Sequence, residues 1–297
     1  MKIIITGSLG HISKPLTQTL VQKGHSVTVI SSQSERQKDI EALGAKAAIG
    51  SIEDVDFLAE TFTGADAAYL MVPTVNFRSG DIFKFWVQTG ENYAQAIQRS
   101  GVKRVVHLSS IGAHTDQNNG MLRFAYQIEQ VLKRLPENIA ITTLRPVGFY
   151  NNLMGAIHAI KTTGSIVSNY KATYKEPWVS PSDIAAVAAE EITQQFTGRK
   201  IRYIASDELT SDETASILGA AIGQPDLKWT VINDEQLMNG LIAAGMNPQA
   251  AKGLVEMNAG LGSGTLFEDY NRNRPNTFGK VQMKDFAREF AAVYHQK

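Results

Sequence analysis

The chain has no cysteine in its 297 residues. Disulfides, thiolate metal sites and cysteine nucleophiles are excluded at once. Nor is there an excess of either charge: 29 Lys and Arg against 29 Asp and Glu give a formal net charge of zero. Nucleic-acid phosphates demand a basic face, so the composition gives no reason to expect a nucleic-acid partner. Long apolar runs are missing too. Met1–Thr6 is one Lys followed by three Ile and is cut off by Gly7 and Ser8, too short for a signal-peptide core or a membrane span. The expectation is a cytoplasmic protein with no membrane partner. The six histidines (11, 25, 107, 114, 158 and 295) show no ligand spacing, so no metal is expected. No serine lies in a Gly-x-Ser-x-Gly elbow.

What is present is an ordinary globular composition, 43% hydrophobic and 20% charged, with a distinct rhythm. Through the first half, strand-like runs alternate with helical ones, as in βαβ units of a parallel sheet. Strands are predicted over residues 2–5, 26–30, 45–49, 67–72, 102–109 and 139–144. Helices are predicted over 12–23, 55–62, 81–99 (stopped by Gly101) and 122–135. After Pro146 the alternation loosens. Ser180-Pro181-Ser182-Asp183 announces a helix over 184–192. Residues 199–205 look like a strand, Ser211 like the cap of a helix over 211–222, and 283–294 like an amphipathic helix. From Lys228 to Gly264 the chain carries short helical pieces and six glycines (240, 245, 253, 260, 262 and 264), which suggest a smaller lobe with a mobile flap.

The segment Ile5-Thr6-Gly7-Ser8-Leu9-Gly10-His11-Ile12-Ser13 lies between the first strand and the first helix. One glycine permits the tight turn, and the second lets backbone N–H groups approach a pyrophosphate. The positive end of the following helix then faces the anion. Ser13 stands where a third glycine is usual, small enough for close packing. The fold class expected is α/β, a Rossmann-type doubly wound parallel sheet with a smaller C-terminal α/β substrate lobe. Residues 1–150 would be the dinucleotide-binding domain and 151–297 the lobe, with the strand at about 199–205 returning to the main sheet. Gly7, Ser8, Leu9, Gly10, His11 and Ile12 are the first cofactor-binding candidates. No acid ends the second strand, where one would bind ribose hydroxyls and repel a 2′-phosphate. Ser31, Ser32 and Arg36 stand there instead, which favours NADP(H) over NAD(H). Val72, Pro73 and Ser109, just past later strands, complete the cofactor set.

Several blocks resemble the NmrA-like branch of the short-chain dehydrogenase/reductase superfamily. They are Thr6-Gly7-x-x-Gly10, Leu108-Ser109-Ser110-Ile111-Gly112-Ala113, Leu144-Arg145-Pro146 running to Asn151-Asn152, and Trp178-Val179-Ser180 leading into Asp183-Ile184-Ala185. The resemblance implies relatives such as type 2 NAD(P)H:quinone reductases, and also NADP-sensing regulators. Standard superfamily members carry a Tyr-x-x-x-Lys pair, whose lysine lowers the tyrosine pKa for proton transfer. Anchored on Glu129-x-x-Leu132, the pair would fall on Met121 and Ala125. Anchored on the tyrosine present, it would fall on Tyr126 and Gln130. Neither register supplies the lysine, which leaves Tyr126 as a weak catalytic candidate. Phe124, Ile128, Val131, Leu132 and Leu135 form an apolar stripe on the other side of that helix.

Reducing a simple ketone needs a proton donor, whereas a quinone becomes a stabilised phenolate that water can protonate. The expected activity is therefore NAD(P)H-dependent hydride transfer to a quinone-like or other conjugated small molecule. The alternative is a non-catalytic NADP(H) sensor, and a sugar epimerase is disfavoured by the missing pair. Thr74, Ile111, Phe149, Tyr150 and Asn152 are the substrate-wall candidates, with Trp178 and the 240–264 segment as the far wall. A homo-oligomer is compatible with all of this.

Overall fold

The computed structural model describes residues 1–73 and 81–296. Its main sheet has seven strands: β1 (Lys2–Ile5), β2 (Ser26–Ser31), β3 (Lys46–Ile49), β4 (Ala67–Leu70), β5 (Arg104–Leu108), β6 (Ala140–Pro146) and, much later in the chain, β10 (Arg199–Ile204). Their spatial order is β10-β6-β5-β4-β1-β2-β3, and every pairing is parallel. The chain runs outward from β1 through β2 to β3, then crosses back to place β4 on the other side of β1. That reversal between β1 and β4 opens a crevice beyond the carboxyl ends of the strands, where sheets of this kind take ligands. The expected Rossmann-type α/β fold is what forms.

Alternation along β1 explains the two layers. Ile3 and Ile5 face a core shared with α1 (Ser13–Gln22) and α7 (Pro181–Thr193). Ile4 faces the opposite core, filled by α3 (Val55–Phe62), α4 (Ile82–Ser100) and α5 (Arg123–Lys133). Between α1 and α3 lies the short α2 (Gln37–Ala42) beside β3. Period two in the strands and about 3.6 in the helices divide the same chain into two apolar layers. The predicted stripe on α5 is real: Ile128, Val131, Leu132 and Leu135 are buried, and Phe124 packs beside them. Termini follow capping chemistry. The Asp81 carboxylate accepts from Lys84 N to open α4, and Gly101 closes it in the left-handed conformation.

The remaining strands build the C-terminal part. β9 (Glu176–Val179) lies between β7 (Gly148–Phe149) and β11 (Asp207–Leu209). β8 (Ser165–Ser168) pairs in parallel with β12 (Lys228–Val231). Around them stand α6 (Ile157–Thr163), α8 (Ser211–Ala221), α9 (Asp234–Ala243), α10 (Pro248–Ser263), α11 (Glu268–Arg272) and α12 (Met283–Tyr294).

One local expectation is corrected. The cap of α8 is Thr210, not Ser211: its hydroxyl accepts from Glu213 N while Glu213 returns to Thr210 N. The 228–264 stretch contains β12 beside the expected helical pieces, α9 and α10. Its glycines answer to packing. A Cβ on Gly253 would lie 3.3 Å from Met121, one on Gly260 2.5 Å from Asn118 O, and one on Gly262 2.7 Å from Tyr170 Cβ.

Candidate functional site

The turn after β1 is held from three sides. Gly7 has φ 91° and Ser8 φ 52°, so the chain leaves the strand through left-handed backbone. A Cβ on Gly7 would lie 2.7 Å from both Met71 Sδ and Ser13 Oγ, which only glycine avoids. Ser13 Oγ donates to Thr6 O at 2.9 Å, so the serine in the third-glycine position ties helix to strand. Thr6 Oγ1 accepts from Met71 N at 2.8 Å, and Tyr93 OH donates to Met71 O at 2.8 Å. Thr6 and Tyr93 thus fix the spacing between the turn and the exit of β4, a role the sequence reading missed.

Within the turn, Ser8 N donates to Ile30 O and Gly10 N to Gly7 O, both at 3.1 Å. The N–H groups of Leu9, His11 and Ile12 take no partner among the described residues. They lie at the positive end of α1 over the crevice, the arrangement that receives an anion. Ile12 contributes only its backbone, because its side chain belongs to the core. A cradle that a Cβ would fill, with three free donors, fits a pyrophosphate. At the end of β2, Ser31 is buried and its hydroxyl accepts from Ser8 Oγ at 2.9 Å and Gln33 N at 3.2 Å. Ser31 therefore shapes the turn, while Ser32 and Arg36 are exposed beside it. Arg36 reaches Asp39 at 3.5 Å with both side chains in solvent.

Past β4, Val72 and Pro73 are half-buried, and Trp86 Nε1 donates to Pro73 O at 3.2 Å. Thr74 lies outside the described residues. Past β5, Ser109 Oγ donates to Glu129 Oε1 at 2.6 Å. Glu129, on α5, receives Arg145 Nε on Oε1 at 2.9 Å and Arg145 Nη2 on Oε2 at 2.7 Å. Arg145 extends to Ala113 O, Tyr203 OH and Asp269 Oδ2, and Tyr203 OH donates to Asp269 Oδ2 at 2.6 Å. Burial works to lower the Arg145 pKa, but the Glu129 carboxylate outweighs it and the guanidinium is held above its ordinary range. His107 lies in the strand beneath, and burial pushes its imidazole down to about 4, so it is neutral. Sequence reading named Ser109, Glu129 and Arg145 in separate blocks but had no signal that they meet in one network. Its members come from β5, α5, β6, β10 and α11.

The substrate-wall candidates lie in different settings. Ile111 is buried in the main core, its N–H donating to Pro146 O at 2.9 Å. Tyr150 is fully buried in the C-terminal core, stacked on Phe286 at 5.4 Å, with its hydroxyl donating to Val281 O. Trp178 is buried in that same core. Phe149 is half-buried against the main core, and Asn152 is exposed. Tyr126 is half-buried on α5 with no hydrogen-bond partner among the described residues.

Residues 1–288 match the NmrA-like family. The chain belongs to that family. Solved structures similar to this NmrA-like protein include an NADPH-dependent quinone oxidoreductase, QOR2, from Escherichia coli complexed with NADPH. Its TM-score is 0.80 at 18% identity, over 97% of this chain and 99% of that chain. Citrobacter sp. triphenylmethane reductase complexed with NADP(H) gives a TM-score of 0.76 at 18% identity, over 97% and 99%. At such identities the likeness is one of fold. Sterol demethylase protein B of Methylococcus capsulatus is 28% identical over 116 residues, 38% of this chain and 35% of that relative. A ketoreductase of Stigmatella aurantiaca is 27% identical over 112 residues, 37% of this chain and 34% of its own. The NmrA-like chain thus matches about a third of the length of these curated relatives. Among its described residues no cluster of His, Asp and Glu could hold a metal ion, and no helix is long and apolar enough to cross a membrane.

Proposed function

We propose that this NmrA-like chain is an NADPH-dependent oxidoreductase that reduces a quinone-like or other conjugated small molecule. The observation that carries the reading is the Gly7–Ile12 turn, with its free N–H groups at the positive end of α1. The nicotinamide cofactor would supply the hydride. Leu9, Gly10, His11 and Ile12 would hold the pyrophosphate, and Ser32 and Arg36 the 2′-phosphate. Val72, Pro73 and Ser109 would border the nicotinamide half, with Phe149 and Asn152 toward the acceptor. Orientation and exclusion of water are what such residues contribute. Two similar folds were solved with NADPH or NADP(H), and the quinone and dye reductases among them support the acceptor class.

Neither register of the Tyr-x-x-x-Lys pair carries a lysine in this sequence, which favours an acceptor that needs no side-chain acid. A conjugated acceptor leaves as a stabilised phenolate that water protonates, whereas an alkoxide requires a donor.

The test is a fluorescence titration with NADPH and NADH, followed by menadione in the same cuvette. Binding and steady oxidation are expected, and Gly10→Asp, which sets a carboxylate against the pyrophosphate, should abolish both. Arg36→Ala should weaken NADPH by about tenfold, the loss of one charge-assisted hydrogen bond, and leave NADH unchanged. Binding without turnover across quinones and dyes would overturn the acceptor class. Failure to bind either nucleotide would overturn the reading altogether.

A further inference from the structure

The proton on Ser109 has one destination. Its hydroxyl donates to Glu129 Oε1 at 2.6 Å. Glu129 cannot reciprocate: both its oxygens accept from Arg145, and the two side chains are 2% and 4% exposed. A carboxylate paired in this way has no proton to give. Ser109 therefore faces anything else with lone pairs alone, and no other group among the described residues donates to its hydroxyl. Its own N–H is spent on Leu144 O at 2.8 Å, which fixes the residue at the carboxyl end of β5.

The strand order says which half of a dinucleotide lies there. The phosphate turn follows β1, and β2 with Ser32 and Arg36 lies to one side of it. β4 and β5 lie to the other. With adenosine over β2, the nicotinamide half crosses β4 toward β5. Its carboxamide NH2 is a pure donor, matched by a site that can only accept. A ribose hydroxyl, able to donate and to accept, needs no such fixed polarity.

The geometry points to Ser109 as the acceptor for the nicotinamide carboxamide N–H, with Glu129 and Arg145 as positioning residues that fix its polarity. The assignment rests on the dinucleotide reading of the site. It makes the buried ion pair a device for orientation: the carboxamide rotamer is fixed, and with it the lie of the ring.

Three probes separate this inference from its foundation: NADPH, its reduced 3-acetylpyridine analogue, which has a methyl ketone in place of the carboxamide, and 2′-phospho-ADP-ribose, which has no ring. All are titrated for affinity, with no acceptor present. The native protein should prefer NADPH over the acetylpyridine analogue by about tenfold, the worth of one hydrogen bond. Ser109→Ala should bring that ratio to about one, and Ser109→Thr, which keeps the hydroxyl, should restore it. Glu129→Gln, which lets the serine turn round, should lower the ratio while 2′-phospho-ADP-ribose still binds. A ratio near one in the native protein, or one that survives Ser109→Ala, overturns the assignment. So does equal weakening of both dinucleotides by Ser109→Ala, which would place a ribose hydroxyl on the serine. If 2′-phospho-ADP-ribose fails to bind the native protein, the dinucleotide site itself falls and this assignment with it.

Discussion

Glu176 is a buried carboxyl group with a single hydrogen bond, from Tyr170 OH at 2.8 Å, and with Oε2 unpartnered among the described residues. Burial pushes its pKa up to about 7, against the opposing pull of the Tyr170 bond. The folded protein therefore prefers the protonated acid. Well below pH 4.5, folded and unfolded chains are protonated alike and the group is neutral toward stability. As pH rises through 4.5 to 7 the unfolded chain loses its proton first, and above 7 the whole penalty is present. Glu176→Gln should thus stabilise by about 1–3 kcal/mol above pH 7 and by nothing well below pH 4.5, as read by urea unfolding at the two pH values. Removing Glu129 should destabilise instead. Glu129→Ala leaves Arg145 with Asp269 as its one carboxylate partner among the described residues, and unfolding should show a loss of about 3–5 kcal/mol. The burial of neither residue was legible in the sequence. A lone Glu on a helix reads as a solvated face, and its partner lies sixteen positions on, in a strand. The turn glycines were legible because local backbone geometry alone demands them.

At the scale of elements, the first six strands and the helices α1, α3, α4 and α5 announced themselves, while the six-residue α2 did not. β-branched runs and 3.6-residue stripes are local signals, and the layers they form are the ones observed. The segment from Lys228 to Gly264 shows where that logic stops. Glycine serves both mobility and close approach, and only the neighbour decides between them. Here the neighbour is the Gly120–Leu122 turn, on which α10 lies. A Cβ on Gly120, whose φ is 53°, would stand 2.2 Å from Gly253 O and 2.4 Å from Met257 N. Gly120→Ala should therefore cost about 2–4 kcal/mol through clash and backbone strain together. Gly240→Ala, with nothing within 4 Å, should be neutral or slightly stabilising by helix propensity. Thermal unfolding of the two variants makes the comparison. A similar loss in both would mean that glycine flexibility, not contact, governs this stretch.

For the whole molecule, the dinucleotide site predicts a linkage. NADPH at a hundredfold its Kd should raise stability by about 2.7 kcal/mol, a rise in melting temperature of roughly 4–5 °C, absent in Gly10→Asp. The sheet itself carries a different consequence, for the order in which the protein can be made. β6 is flanked on one side by β5 and on the other by β10, which the chain supplies only after everything from Val147 to Gly198. β10 bears the charges that blunt a sheet margin, with Arg202 and Lys200 held on Glu191 and Ile201 alone half exposed. β6, reading Ala-Ile-Thr-Thr-Leu-Arg-Pro, has its one charge turned inward on Glu129. A nascent chain arrested near residue 150 would thus display an unpaired hydrogen-bonding rim to its neighbours on the polysome, and the last strand to reach the sheet is the one that makes it safe.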